Sequence, residues 1–357
     1  MTDQHHIHAR GSSGTGAALL SALLFGITTP LAKQLLTGAH PLLIAGLLYA
    51  GSGLGLTLLV LIQDRGRFSL GLARSDIPWL TAAVVFGGII APALLMFGLA
   101  QADAAAASLL LNLEAVFTAV MAWLFFREAT SRRIVWGFVA IFVGSLALVW
   151  PARLGAHQNP WALAAIAAAC LCWAVDNNLT RKISGGDARA IAAAKGLAAG
   201  ATNVALALVL HAGFPSAGKL GFALLLGFLG YGMSLVLFIF SLRNLGTART
   251  GAYFATAPFI GSALAIALYG QVIGWPFWIA AVCMAAGVWL HLTEDHEHEH
   301  THELLVHSHS HTHDPHHQHE HGSDWDGSEP HVHEHRHEPL RHRHPHFPDI
   351  HHQHTHG

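Results

Sequence analysis

The chain has 357 residues, of which 52% are hydrophobic and only 11% charged, a balance that excludes an ordinary soluble domain. A formal net charge of −2 offers nothing to a nucleic acid. Cys170, Cys172 and Cys283 all sit inside apolar runs, which argues for buried packing and against a disulfide framework.

Crossing a hydrocarbon core of about 30 Å takes roughly 20 apolar residues at about 1.5 Å each. Taken in order, the stretches of about that length in the first half are Gly16–Leu36, Pro41–Ile62, Ile77–Ala100, Ala104–Phe126 and Ile134–Trp150. Pro160–Leu179, Ala188–Ala212, Lys219–Leu242, Ala248–Gly270 and Ile273–Leu292 follow in the second half, making ten expected helices in an all-α membrane protein. No small-residue cleavage pattern follows the first run, so it reads as a retained first span preceded by a short polar segment, residues 1–15. Connections are short, so neighbours in sequence are expected to be antiparallel neighbours in space.

The loops set an orientation. With the N-terminus inside, cytoplasmic segments carry Arg10, Arg65, Arg67, Arg74, Arg127, Arg132, Arg133, Arg181, Lys182, Arg189, Arg243 and Arg249. The other side has only Lys33, Arg153 and Lys219. That bias predicts a plasma (bacterial inner) membrane protein with both termini cytoplasmic.

The two halves echo each other. Ser108–Glu128 is an apolar run with one carboxylate, Glu114, near its centre, and it ends at the Arg127-Glu128 pair; Thr250–Tyr269 repeats it with Gln271 in place of Glu128. At an offset of 143, Gly144 falls on Gly287 and Glu114-Ala115 on Ala257-Pro258. LLFGITTPLAK at 23–33 can likewise be laid over CWAVDNNLTRK at 172–182. Five spans per half is odd, so the halves are expected to be inverted repeats, residues 16–151 and 160–292, with a site near mid-membrane between them.

These features resemble the EamA-type permeases of the drug/metabolite transporter superfamily, over about residues 16–292. The resemblance implies secondary transport, often export of amino acids, nucleotide precursors, other metabolites or toxic compounds, without a nucleotide-hydrolysing domain. Ala115 stands where that family often has proline, whereas Pro258 keeps it.

A charge at mid-membrane costs at least about 2.5–3.5 kcal/mol, so an intramembrane ionisable group is a functional candidate. Glu114 is the first such group, suited to contact with a cation or to proton coupling. Asp176 and Lys195 lie at similar depths in consecutive antiparallel spans and are expected to pair, as structure or as site. Asn112, Asn177, Asn178 and Asn203 are candidate hydrogen-bonding groups, and Trp173 and Tyr231 candidate cavity walls. Pro30, Pro92 and Pro258 free backbone carbonyls and are candidate hinges. Gly51-x-x-x-Gly55 and Gly196-x-x-x-Gly200 suit close helix contact.

The tail, residues 293–357, holds 23 of the 30 histidines. They alternate with other residues at His296, His298, His300 and His302, then at His307, His309, His311 and His313. The pattern returns at His331, His333, His335 and His337, and at His342, His344 and His346. Such a segment cannot bury a core and is expected to be disordered without ligand. Neutral imidazole ligates Zn, Ni, Co and Cu, so the tail is expected to bind divalent transition metal, although no cofactor is required for transport.

Two uses follow: export of Ni, Co or Zn collected by the tail, or export of a small organic metabolite or amino acid with the tail as metal sensor or buffer. A membrane protein that stores or senses metal without transport is the reading of another class. No nucleophile–base set or phosphate loop is recognisable, so an enzyme is not expected. The partners expected are the bilayer and a small-molecule or metal substrate, and a homodimer is compatible with the sequence.

Overall fold

The computed structural model describes residues 2–126, 132–149, 159–183, 186–245, 247–271 and 273–292, together with the backbone of 297–302, 305–311, 331–337 and 340–345. The expected marker Glu128 and loop residues Arg127 and Arg153 lie outside them, as do His296, His313 and His346.

The first repeat opens with α1 (Thr2–Leu35) and α2 (Pro41–Gln63). After a 3-10 turn at Arg74–Asp76, α3 (Ile77–Ala83) passes through a π-helical segment, Val84–Ile90, into α4 (Ala91–Gln101). α5 (Ala104–Leu110) and α6 (Asn112–Phe126) are two pieces of the next apolar stretch, and α7 (Arg132–Val149) closes the repeat. The second repeat runs α8 (Pro160–Lys182), α9 (Ala188–Val209), α10 (Ala217–Gly227), a π segment at Phe228–Met233, and α11 (Ser234–Leu245). It ends with α12 (Thr247–Phe254), α13 (Ala257–Tyr269) and α14 (Trp275–Leu292).

Among the described residues seven helices are long and apolar enough to cross a membrane: Gly14–Leu35, Pro41–Gln63, Arg74–Gln101, Ala104–Phe125, Pro160–Thr180, Ala188–Val209 and Ala217–Ser241. The expected fifth, ninth and tenth spans are shorter apolar helices there, Val135–Leu148, Ala257–Tyr269 and Trp275–Leu290. The outer surface suits lipid. Leu124, Phe125, Trp136, Val209 and Val282 are exposed, while the small residues Ala104, Ala105, Ala106 and Ala107 are buried. Exposed Trp123, Trp161, Trp275, Trp278 and Trp289 stand towards helix ends, as interfacial aromatics do.

Packing between the repeats is two-fold symmetric. α1 packs on α11, α12 and α13, and its counterpart α8 packs on α4, α5 and α6. α2 pairs with its own equivalent α9, and α7 with its equivalent α14. Each self-pair is held by glycine. A Cβ on Gly144 would stand 2.9 Å from the Ala280 carbonyl oxygen, and one on Gly287 2.6 Å from that of Gly137, so the aligned glycines mark one crossing read from its two sides. Gly196 and Gly200 lie likewise against the backbone of Gly53 and Ala50 on α2. Gly51 and Gly55 face Leu224 and the Phe228 ring instead.

Lysines finish two helix ends. Lys33 Nζ donates to the carbonyls of Leu99 (2.6 Å), Ala100 (3.1 Å) and Ala102 (3.0 Å) where α4 runs out, and Lys219 Nζ donates to Thr37 O (2.8 Å) beyond α1.

At the ends of α2 and α9, Arg189 bridges Asp64 (3.1 Å) and Asp187 (2.8 Å), and Asp187 accepts from the backbone N–H groups of Arg189 and Ala190 as N-cap of α9. Burial alone would push the Asp187 carboxyl up; the hydrogen bonds from the Arg189 side chain and from the two backbone N–H groups outweigh it and hold it below the usual range. Asp187→Ala should cost about 1 kcal/mol, read as a lower thermal midpoint in detergent, and Asp187→Asn, still a good cap, should cost less. A depressed carboxyl stabilises above its unfolded pKa and is lost as pH falls through the folded one. The gap between wild type and Asp187→Asn should therefore be full at neutral pH and close below about pH 4.

Residues 295–353 form a separate unit. Its described backbone is four strands, β1 (Glu297–His302), β2 (Leu305–His311), β3 (His331–His337) and β4 (Leu340–Pro345), in two antiparallel ladders, β1 with β4 and β2 with β3. In these four segments the alternation of histidine with other residues has the two-residue period of a strand.

Candidate functional site

One backbone hydrogen bond marks each π segment. Ala91 N–H reaches back to Phe86 O and Ser234 N–H to Leu229 O, the five-residue spacing of a π-turn. In the first repeat Pro92 comes next and has no N–H, so the carbonyls of Gly87 and Gly88 lose helical partners. Side chains from neighbouring helices supply them. Tyr49 OH (2.9 Å) and Trp173 Nε1 (3.0 Å) donate to Gly87 O, and Asn203 Nδ2 (3.2 Å) donates to Gly88 O. Pro92 thus marks a bulge whose exposed carbonyl organises Tyr49 on α2 and Trp173 on α8.

Each π segment also brings a glycine against the first helix of the other repeat. A Cβ on Gly230 would collide with the Thr28 hydroxyl on α1, and one on Gly87 with the Asp176 carboxylate on α8. The architecture is symmetric here and the chemistry is not: a hydroxyl on one side, a carboxylate on the other.

The interrupted helices are symmetric as well. α5 stops at Leu110 and α6 restarts at Asn112; α12 stops at Phe254 and α13 restarts at Ala257. Asn112 Nδ2 donates to Leu109 O (3.0 Å) and Thr256 Oγ1 to Tyr253 O (2.6 Å), satisfying carbonyls at each break. Broken helices at mid-membrane are a recurrent place for substrate and coupling ions.

Glu114 stands in the first turn of α6, just past that break, and is half-buried. Asn177 Nδ2 donates to Glu114 Oε1 (3.0 Å) and to Thr118 Oγ1 (3.2 Å), so α8 of the second repeat meets α6 of the first at a carboxylate. Asn178 Nδ2 donates to the carbonyls of Thr118 (3.2 Å) and Ala174 (2.8 Å). One residue before Asn177, Asp176 is buried and accepts from Lys195 Nζ (2.5 Å) and from Thr180 Oγ1 (3.0 Å); Lys195 also donates to Thr180 Oγ1 (3.1 Å). Among the described residues Asp176 therefore has a cationic partner, whereas Glu114 has an amide.

Aromatic rings complete the cluster. Tyr49 and Tyr231 have ring centroids 5.4 Å apart, Phe25 and Tyr231 6.0 Å, and Phe25 and Phe254 5.3 Å.

Of the residues singled out in the sequence, Glu114, Asp176, Lys195, Asn178, Trp173 and Tyr231 fall in this region, with Asn177 at its centre. Asn112 does not join them: it is buried at the break, with Met284 Sδ 3.9 Å away. Pro92 adjoins the π segment and Pro258 opens α13, while Pro30 lies inside α1 with its carbonyl accepting from Tyr269 OH (2.7 Å). Sequence reasoning missed Tyr49, Thr118, Thr180 and Phe25, and both π segments. The available signal was the mid-span glycines, Gly87-Gly88 and Gly230-x-Gly232.

The sequence model of the EamA-like transporter family matches the chain twice, over residues 12–150 and 160–293. The chain belongs to the EamA-like transporter family. The two matches coincide with the two packed repeats. This EamA-like transporter is also 25% identical over 288 residues to an uncharacterized transporter of Methanothermobacter thermautotrophicus (strain Delta H), covering 76% of this chain and 84% of that protein. A solved crystal structure, 19% identical, superposes with a TM-score of 0.58 over 77% of this chain and 95% of its own, which shows a shared fold.

Proposed function

We propose that the protein exports a small organic solute bearing a protonated amine, an amino-acid-like metabolite being the simplest case, by proton-coupled alternating access. The observation that carries this reading is the half-buried Glu114 carboxylate where α6 of one repeat meets α8 of the other, with amide and hydroxyl groups beside it and aromatic rings nearby. An ammonium group is served there by the carboxylate charge and by the Thr118 hydroxyl, which shares Asn177 with it. Amide, hydroxyl and ring groups are poor ligands for a dehydrated transition-metal ion. Among the described residues no three His, Cys, Asp or Glu side chains are grouped so as to hold one. This favours an organic cargo over Ni, Co or Zn.

One carboxylate that binds either a proton or the cationic cargo is enough for exchange, because the two compete for the same charge. The bias of arginine and lysine puts both termini on the cytoplasmic side of the inner membrane, and export is the direction that the family resemblance implies. The histidine-rich tail binds divalent transition metal and acts as sensor or buffer.

The test is counterflow in proteoliposomes, with amines, amino acids, Ni, Co and Zn each preloaded under an imposed proton gradient. Uptake of an amine that collapses with the gradient is expected. Metal flux with no organic flux would overturn the organic cargo, and no flux of any solute by folded protein would overturn transport of either class.

A further inference from the structure

The tail ladders sort residue types by face. Successive residues of a strand alternate faces, and directly opposed residues of an antiparallel pair share one. In the first ladder His298 is opposite His344 and His300 opposite His342. The residues between them belong to the other face, where Glu299 is opposite Arg343 and Thr301 opposite Arg341. In the second ladder His307 is opposite His335, His309 opposite His333, and His311 opposite His331. Its other face pairs Val306 with Arg336, Ser308 with Glu334, and Ser310 with Val332. One register therefore assembles five histidines on a single face in the first ladder, where His302 is opposite Leu340, and seven in the second, where His337 is opposite Leu305, with every acidic and arginine position on the opposite faces.

A two-stranded ladder without an apolar face is marginal in water, because nothing offsets the entropy of ordering it. Opposed positions have Cα atoms about 4.5–5.5 Å apart, and their neighbours two residues along stand on the same face, a density of imidazole suited to a four-coordinate borderline metal. We propose that each histidine face is a transition-metal site built by strand pairing, so that ion binding and ladder formation are one event joining residues 297–311 to 331–345. The proposal rests on the reading of the tail as metal-binding and deepens it: the ligands come from both strands, and their register matters as well as their number.

That distinguishes it from a labile histidine-rich sponge, for which order along the chain is irrelevant. The experiment uses the full chain in detergent, with Zn(II) or Ni(II) alone as probe. Affinity is read by competition with a chromophoric chelator, and pairing by backbone hydrogen exchange across 297–311 and 331–345. The control keeps composition and charge while moving the central histidines to the other face: His309→Ser with Ser310→His, and His333→Glu with Glu334→His. Matching exchanges in the first ladder are His300→Thr with Thr301→His, and His342→Arg with Arg343→His.

Metal is expected to protect both segments in the wild type, and the permuted chain to bind at least about tenfold more weakly without that protection. Equal affinity in the permuted chain, or wild-type binding without protection, would overturn the strand-built site and leave a metal-binding tail. Failure of the wild type to bind either ion would overturn both.

Discussion

Glu114→Gln is expected to cut proton-driven transport by about 10- to 100-fold while leaving the protein folded, a factor matching the roughly 1.5–3 kcal/mol carried by hydrogen bonds to a charged group. The change is close to isosteric. Asn177 Nδ2, 3.0 Å from Glu114 Oε1, can still donate to an amide oxygen, though more weakly, and the same Asn177 still reaches Thr118, so the contact between α6 and α8 persists. What disappears is the negative charge and the capacity to take up a proton. The decisive measurement is the response to a pH gradient in proteoliposomes, beside the thermal midpoint in detergent. An unchanged midpoint with gradient-independent residual flux identifies Glu114 as the coupling group. Full gradient-driven flux in the variant would remove it from that role.

The second large effect concerns Asp176 and Lys195. Lys195→Met should destabilise by about 3–5 kcal/mol, because it leaves a buried carboxylate with no cation. Asp176 is only 8% exposed, and Thr180 would be its remaining partner. Space is short as well, since the backbone of Gly87 lies directly against the carboxylate. Adding Asp176→Asn to Lys195→Met removes the stranded charge and should restore most of the loss, so the double-mutant cycle should show strong coupling.

Transport separates two roles for the pair. If the pair only ties α8 to α9, the double variant should carry solute at the wild-type rate. Our expectation is otherwise. Asp176 is next in sequence to Asn177, which holds Glu114, so the double variant should recover stability and remain about tenfold impaired in transport. Recovery of both would reduce the pair to a fastening.

Much of this was readable in the chain. Span positions follow from apolar length, because a bilayer admits only backbone whose hydrogen bonds are closed within the segment. The pairing of Asp176 with Lys195 followed from equal depth on consecutive antiparallel helices, and the coincidence of Gly144 with Gly287 was visible at an offset of 143. What misled was the local reading of single polar residues. Asn112 looks like Asn177 in the sequence, yet one satisfies a carbonyl within its own helix break and the other bridges two repeats. Burial and facing decide between those roles, and neither can be computed from a helix taken alone.

The sequence by itself determined the membrane class, the two-fold repeat and the scarcity of intramembrane charge, because those depend on composition and spacing along one chain. Only the tertiary structure decided where the helices bulge and break, and which side chains those irregularities gather. A carbonyl released by Pro92 has no address until another helix arrives. That Tyr49 and Trp173 meet it at Gly87, beside Asp176, is a property of three helices packed together, and the sequence of any one of them is silent on it.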